Sequence, residues 1–452
     1  MNHNIDHPNP VEKQVERLLS PFDAFMQSQV STGIFLLIAA ALALGVANSS
    51  WHDFYQALKH WEFGFHLQDW RLDMPLLEWV NSGLMALFFF LLGLEIKREV
   101  LAGELQKPQK LMLVLFAALG GIIMPALIFS AINYGSPTIE GWAIPVGTSA
   151  PFALGAIALL GREKFPTLAV FLTAVAIIDD LGSVLIIGVF YTKAIALFPL
   201  ICAFGLFGLL IIINISGGRR ASYYFIIGSL LWFCMLQSGL HATLAGVMVA
   251  LTVPARTNKE PSKFLTSMRS VLGGFEKRQE ENKILSDQKQ HELVMDIEQM
   301  AEKASTPLQR WEGKSENPIG LMVLPVFAFF NAGIYIVGQN ISEIWSSPLI
   351  LGIMAGLVLG KPLGIIFASW LAVKLGFGKL PEGTSFAHII GAGLLAGMGF
   401  TMSFLIATLS FTEGSVLLEQ AKLGILLATL TSGFLGMTWL YGVHKFKTVK
   451  TA

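Results

Sequence analysis

Apolar residues run in long blocks along most of this chain. After a polar opening stretch they cover roughly 33–46, 76–96, 111–133, 142–161, 168–191, 196–214, 222–236, 239–253, 318–337, 348–373, 386–411 and 419–443. An α-helix needs about 20 residues to cross a hydrocarbon core of about 30 Å, and most of these blocks reach or approach that length. The twelve blocks predict an all-α polytopic membrane protein. Other patterns appear outside them. Val11, Val15, Leu18, Phe22 and Phe25 recur at helical spacing and predict an amphipathic helix on the membrane surface. Phe63, Phe65 and Leu67 alternate, as do Trp70, Leu72 and Met74, with Gln68-Asp69 between them. That pattern predicts a small β-hairpin, whose exposed edges could pair with a second copy of the chain.

The organisation that follows is a segment 1–30, a first membrane part 31–253 with eight spans, an insertion 254–317, a second membrane part 318–443 with four, and a tail 444–452. The insertion mixes acidic and basic residues and predicts a soluble segment. Leu293, Ile297 and Met300 suggest one short amphipathic helix within it. Orientation follows from the excess of Lys and Arg in cytoplasmic loops. Lys97, Arg98, Lys107 and Lys110 fall on one side, with Arg162, Lys164, Arg219, Arg220, Lys374, Lys379 and the lysines of the tail. The opposite loops 133–141, 237–238, 338–347 and 412–415 have neither residue; Lys59, Arg71 and Lys193 are exceptions. Both termini and the insertion are therefore expected in the cytoplasm.

Composition agrees. The chain is 54% hydrophobic and 14% charged, against about 25% charged for soluble domains. A formal net charge of zero gives no reason to expect nucleic acid as a partner. Cys202 and Cys234 have no metal-binding spacing, and no nucleophile–base pair stands out, so an enzyme is not indicated.

The candidate chemistry lies inside the apolar blocks. Asp179 and Asp180 sit near the middle of 168–190. Each Asp at a helix centre costs roughly 2.5–3.5 kcal/mol, and intramembrane carboxylates mark ion or proton paths. Helical neighbours point about 100° apart, so the two cannot face the same partner. Two other blocks carry helix breakers. One is 143–152, where Pro151 removes a helical hydrogen bond and disfavours the α conformation at Ala150. The other is 391–403, with Gly391, Gly393, Gly397 and Gly399. Corresponding interruptions in two halves point to inverted repeats with a site at the midplane. Lys361 lies in a third block, too far from either end to reach water easily. A buried amine loses its proton or finds a carboxylate, and Asp179 or Asp180 is the available partner.

These residues stand in motifs that identify a family resemblance. The motifs are FFFLLGLEIKRE (88–99), AIIDDLGSVLIIGVFYT (176–192), SGLHATLAG (238–246), PVFAFFNAG (325–333), GKPLGI (360–365) and GMGFTMS (397–403). Together, and in this order, they resemble NhaA-type sodium/proton antiporters from about Ser31 to Tyr441. Such antiporters are themselves a reference case for paired interrupted helices at a midplane site. The resemblance implies twelve helices with two discontinuous ones crossing, in a bacterial inner membrane, and a homodimer joined through a periplasmic hairpin. It implies export of sodium or lithium in exchange for protons, two per sodium, with no cofactor. Asp180 matches the main sodium ligand, Asp179 its neighbour paired with Lys361, and Thr148 the threonine beside the ion. Ser149, Pro151, Gly397, Gly399 and Thr401 fall at the helix crossing. Glu95, Arg98, Glu99, His241 and Glu312 match positions linked to pH regulation, although a surface ion-pair cluster and a structural histidine fit the same residues.

One position departs from the pattern. The family motif at the first break is Thr-Asp, and here it is Thr148-Ser149. The missing aspartate would offset the positive helix N-termini that meet there. Two other functions remain compatible with the residues alone: a sodium-coupled organic-anion symporter on a related fold, and a non-transporting, pH-responsive membrane protein.

Overall fold

A computed structural model describes residues 29–67, 70–103, 108–192, 195–256, 305–335 and 346–451, with a few helical residues between 268 and 301. The surface helix expected over 11–25 lies outside the described residues. So does most of the insertion, although 294–297 and 300 are helical as its pattern suggests.

The chain opens with α1 (Gln29–Ala47) and the short α2 (His52–Lys59), then β1 (Glu62–Leu67) and β2 (Trp70–Pro75). The strands pair antiparallel with Phe63 opposite Met74, Phe65 opposite Leu72 and Leu67 opposite Trp70, so the hairpin expected from the alternation is present and its alternating positions are in register. The bundle continues through α3 (Leu76–Ala102) and α4 (Pro108–Ile132). Then come α5 (Ala150–Gly161), α6 (Pro166–Phe190), α7 (Leu197–Ile215), α8 (Ala221–Ser238) and α9 (Leu244–Thr252). After the insertion come α10 (Pro307–Pro318) and α11 (Leu324–Asn331). Last are α12 (Pro348–Lys374), α13 (Phe386–Ala396), α14 (Phe400–Ser410) and α15 (Val416–Thr451).

Among the described residues, eight helices are long and apolar enough to cross a membrane, or ten if each of two bent pairs counts as one span. The two remaining apolar blocks are shorter than expected. In 239–253, Gly239 takes a positive φ of 81° and ends α8. The helix restarts only at Leu244 and has nine residues, about 13 Å of rise against a core of about 30 Å. In 318–337 the helix already begins at Pro307, inside the stretch expected to be soluble, because Thr306 caps it by accepting from the Gln309 amide and Pro307 occupies its first turn. It stays helical only to Asn331, so half of this long helix is polar.

Three helices contain a wider, π-type turn: Trp79–Leu84 in α3, Ile319–Val323 between α10 and α11, and Ala355–Gly360 in α12. The last two have a common cause. Pro325 and Pro362 cannot donate to the carbonyl four residues back, and their rings crowd it. Those carbonyls, on Leu321 and Val358, lie inside the widened turns, which absorb the clash.

The core forms where α4, α6 and α11–α15 meet, around Phe327, Leu357, Phe400 and Phe404. α4 and α12 touch backbone to backbone: a Cβ on Gly120 would strike the Gly364 carbonyl, and a Cβ on Gly364 would strike that of Gly120. Close approach through small residues is how helices gain packing where lipid supplies no hydrophobic drive. α7 and α8 stand outside, and only 11% of the α7 span is buried. Its Leu197, Phe198, Ile201 and Phe204 are exposed, as suits a lipid-facing helix.

At the end of the bundle that holds α2, the buried Lys59 donates to Glu413 Oε1 at 2.7 Å. Buried Lys422, on α15, lies 3.6 Å from Glu419 Oε1. The Tyr55 hydroxyl donates to the Phe329 carbonyl at 2.6 Å, which closes α2 onto the end of α11.

Candidate functional site

Two interrupted helices frame the site. The first descends through the 3₁₀ turns Pro137–Gly141 and Ile144–Val146, opens at 147–149, and resumes as α5 with a bend of 45°. Pro151 falls in the first turn of α5, where backbone amides have no helical partner, so it removes no hydrogen bond. The break is displaced to the residues before it. The second interrupted helix is α13 and α14, bent by 44° between Ala396 and Phe400, at Gly397 and Gly399.

The two breaks interlock through main-chain groups and side-chain hydroxyls. The Ser149 amide donates to the Met398 carbonyl at 2.6 Å. The Ser403 hydroxyl donates to the Ile144 carbonyl at 2.7 Å, and that of Thr401 to Ser149 Oγ at 3.1 Å. Gly147 admits the approach, because a Cβ there would overlap that of Met402. The expected crossing residues Ser149, Gly397, Gly399 and Thr401 therefore stand together. The opposed chain ends satisfy each other's polar groups, as irregular backbone at this depth must.

α6 passes this crossing unbroken. Asp179 is 0% exposed and Asp180 3%. Lys361, also buried, stands at the end of the widened turn in α12 and reaches two acceptors, Asp179 Oδ2 and the Val146 carbonyl. The choice left open by sequence thus resolves to Asp179. Thr148 Oγ1 lies 2.5 Å from the same Oδ2 and 3.0 Å from the Ala396 carbonyl, so it joins the carboxylate to both breaks. Asp179 Oδ1, Asp180 Oδ1 and the hydroxyl of Ser183 have no hydrogen-bond partner among the described residues. Sequence reasoning passed over Ser183, whose position three residues after Asp180 was the available signal.

The arrangement has cation chemistry. A lysine ammonium and two carboxylates leave one net negative charge when all are ionised. Oxygens without partners suit a hard cation, which takes oxygen ligands.

The five residues that the resemblance links to pH regulation divide into two places. Arg98 bridges Glu99 Oε1 and Glu312 Oε1, each at 2.7 Å, near the C-terminal end of α3, and Glu95 is half-buried one turn before them. Burial pushes the Glu312 carboxyl above its usual range, and the Arg98 guanidinium only partly offsets it. His241 stands apart. Its Nε2 lies 3.0 Å from the Tyr191 carbonyl just past α6. It precedes α9, whereas Lys97, next to Arg98, donates to the Leu251 and Val253 carbonyls where α9 ends.

Comparison of the sequence with known proteins places the chain in a family. Residues 23–440 match the family described as Na+/H+ antiporter 1. The "Na(+)/H(+) antiporter NhaA 1" of Saccharophagus degradans is 44% identical over 97% of this chain and 95% of its own length. The protein of the same description from Pseudoalteromonas atlantica is 44% identical over 95% and 91%. The "Na(+)/H(+) antiporter NhaA" of Sulfurimonas denitrificans is 40% identical over 96% and 98%. With its apolar helices and the match across nearly all of its length, the chain is a multi-pass membrane protein and belongs to the Na+/H+ antiporter 1 family.

Proposed function

We propose that the chain exchanges sodium or lithium for protons across a membrane, at Asp179 and Asp180. The observation that carries this reading is the buried carboxylate pair at two interlocked helix breaks, with one carboxylate held by Lys361 and the Oδ1 of the other without a partner among the described residues. A carboxylate binds either a proton or a cation. Occupancy of Asp180 by one excludes the other, and movement of the occupied site from one side to the other couples their flows. Asp180 and the Asp179–Lys361 pair are the groups that can change protonation here, which supports two protons per ion. Net negative charge in the site favours a cation and disfavours an organic anion.

In this reading the short α9 and the long α10–α11 helix complete twelve crossings arranged as inverted repeats. The lysines and arginines at one set of loops support cytoplasmic termini in a bacterial inner membrane. The free edges of the hairpin are where a second copy would pair. The Arg98–Glu99–Glu312 cluster is the candidate for pH regulation, because a proton on Glu312 would release Arg98.

The test is purified protein in liposomes, with a pH dye reporting proton movement after sodium is added, across a range of pH. Sodium-driven proton release that fades as pH falls supports antiport. Sodium uptake with no proton movement, at any pH, overturns it.

A further inference from the structure

We propose that Ser183 Oγ is a neutral oxygen ligand of the transported cation, beside the free oxygens of Asp179 and Asp180; this rests on the reading of the aspartate pair as the ion site. The observation is a missing hydrogen bond. A hydroxyl in an apolar helix normally gives its proton to the carbonyl one turn earlier. On α6 itself, Thr173 does so to Ala169 at 2.9 Å, and on α15 Thr431 does so to Leu427 at 2.7 Å. Ser183 is 0% exposed and its hydroxyl has no partner among the described residues. Buried polar groups without partners are rare, because each forfeits its hydration without return.

Position supplies the reason. Ser183 follows Asp180 by three residues and Asp179 by four, so on the surface of α6 it lies between the two diverging directions and neighbours each carboxylate, with Cβ atoms about 5–6 Å apart. Each contributes one unpartnered oxygen there. Ser369, Thr429 and Ser432 are also unpartnered, but no acidic residue lies within a helical turn of them. A hydroxyl ligand differs from a carboxylate in one respect that matters for exchange. It accepts a cation through its lone pairs yet does not titrate in the working range. Ser183 therefore strengthens the hold on the ion without strengthening the hold on the proton.

The experiment is equilibrium binding of radioactive sodium to detergent-purified full-length protein at alkaline pH, for wild type, Ser183→Ala and Ser183→Thr. Exchange in liposomes is measured in parallel. Alanine matches serine in size closely, so the fold is retained, and a thermal melt checks this. The expected result is sodium binding weakened about tenfold in Ser183→Ala, with the apparent KM for sodium in exchange rising in step. Ser183→Thr restores the affinity. A folded alanine variant that binds sodium like wild type overturns the proposal. So does a threonine variant that fails with the alanine variant while turnover falls in step, because that marks a packing role. If the wild type binds sodium but exchanges no protons, antiport falls, and the alanine and threonine variants still decide the role of Ser183. If the wild type binds no sodium, both fall.

Discussion

Asp179 and Asp180 are adjacent in sequence, but only one is held. Asp179 receives Lys361 and Thr148 on a single oxygen, from two other segments of the chain. Asp180 Oδ1 has no hydrogen-bond partner among the described residues. A helix forces this asymmetry, since successive side chains diverge by about 100°. One carboxylate is thereby committed to the scaffold and its neighbour is left for the substrate.

Asp180→Asn should therefore abolish exchange in a protein that still folds. The amide keeps the shape but can neither bind a proton in place of a cation nor supply its charge. Dye-monitored proton movement in liposomes checks this, with a thermal melt to confirm folding. Sodium-driven exchange at the wild-type rate would remove Asp180 from the mechanism.

Lys361→Ala should destabilise the protein by about 3–5 kcal/mol, the usual cost of stranding one member of a buried ion pair. Adding Asp179→Asn should recover part of that loss, because the stranded charge is then gone. Unfolding of the single and double variants in detergent measures the coupling. Strict additivity would mean that the pair contributes nothing jointly.

Ser149→Asp should tighten sodium binding and move the pH midpoint of exchange toward alkaline values. The N-terminal ends of α5 and α14 lie at the two breaks that meet at Ser149, each equivalent to roughly +0.5 charge. A carboxylate there offsets that field, so both cation and proton bind more firmly. Sodium titrations across pH would show it. A folded variant with neither parameter changed would mean that the hydroxyl contact from Thr401 already balances the crossing.

The contact of Lys59 with Glu413 should show its own pH dependence. Burial alone would raise the Glu413 carboxyl, but the Lys422 and Lys59 ammoniums outweigh it and hold the group below its ordinary value. A lowered carboxyl stabilises the fold above its unfolded pKa, about 4.3, and that contribution disappears as pH falls through the lower folded value. Melting temperature should drop in this acid window, and Glu413→Gln should flatten that part of the profile. An unchanged acid slope in the variant would show that the loss comes from other carboxylates.

Much of this was readable from the chain. The hairpin followed from alternation, because strand side chains have a period of two. The second break followed from its glycines, which act on their own backbone; Pro151 marked the region of the first but lies just inside the helix that resumes, with the open residues before it. The charge at Lys361 demanded a partner, although sequence alone could not choose between the two aspartates. What could not be read depends on neighbours distant in sequence. The apolar content of 239–253 does not reveal that Gly239 delays the helix to Leu244. The polar residues after Thr306 read as soluble because hydropathy reports polarity and not helicity. Ser183 looks like any small residue in an apolar run until the carboxylates are its neighbours. The burial of Lys422 beside Glu419, with Lys59 and Glu413 near it, depends on residues distant in sequence.

The widened turn before Lys361 has a consequence of its own. A π-type turn is equivalent to one residue inserted into an α-helix, so it shifts the angular phase of everything after it by about 100°. The ammonium at position 361 reaches Asp179 because of that phase. Deleting a single residue from 355–360 would leave every polar side chain of the site in the sequence and swing Lys361 away from its carboxylate. In this helix, chain length is itself part of the ion site, and a relative could retain each motif and still lose the pair through one missing residue.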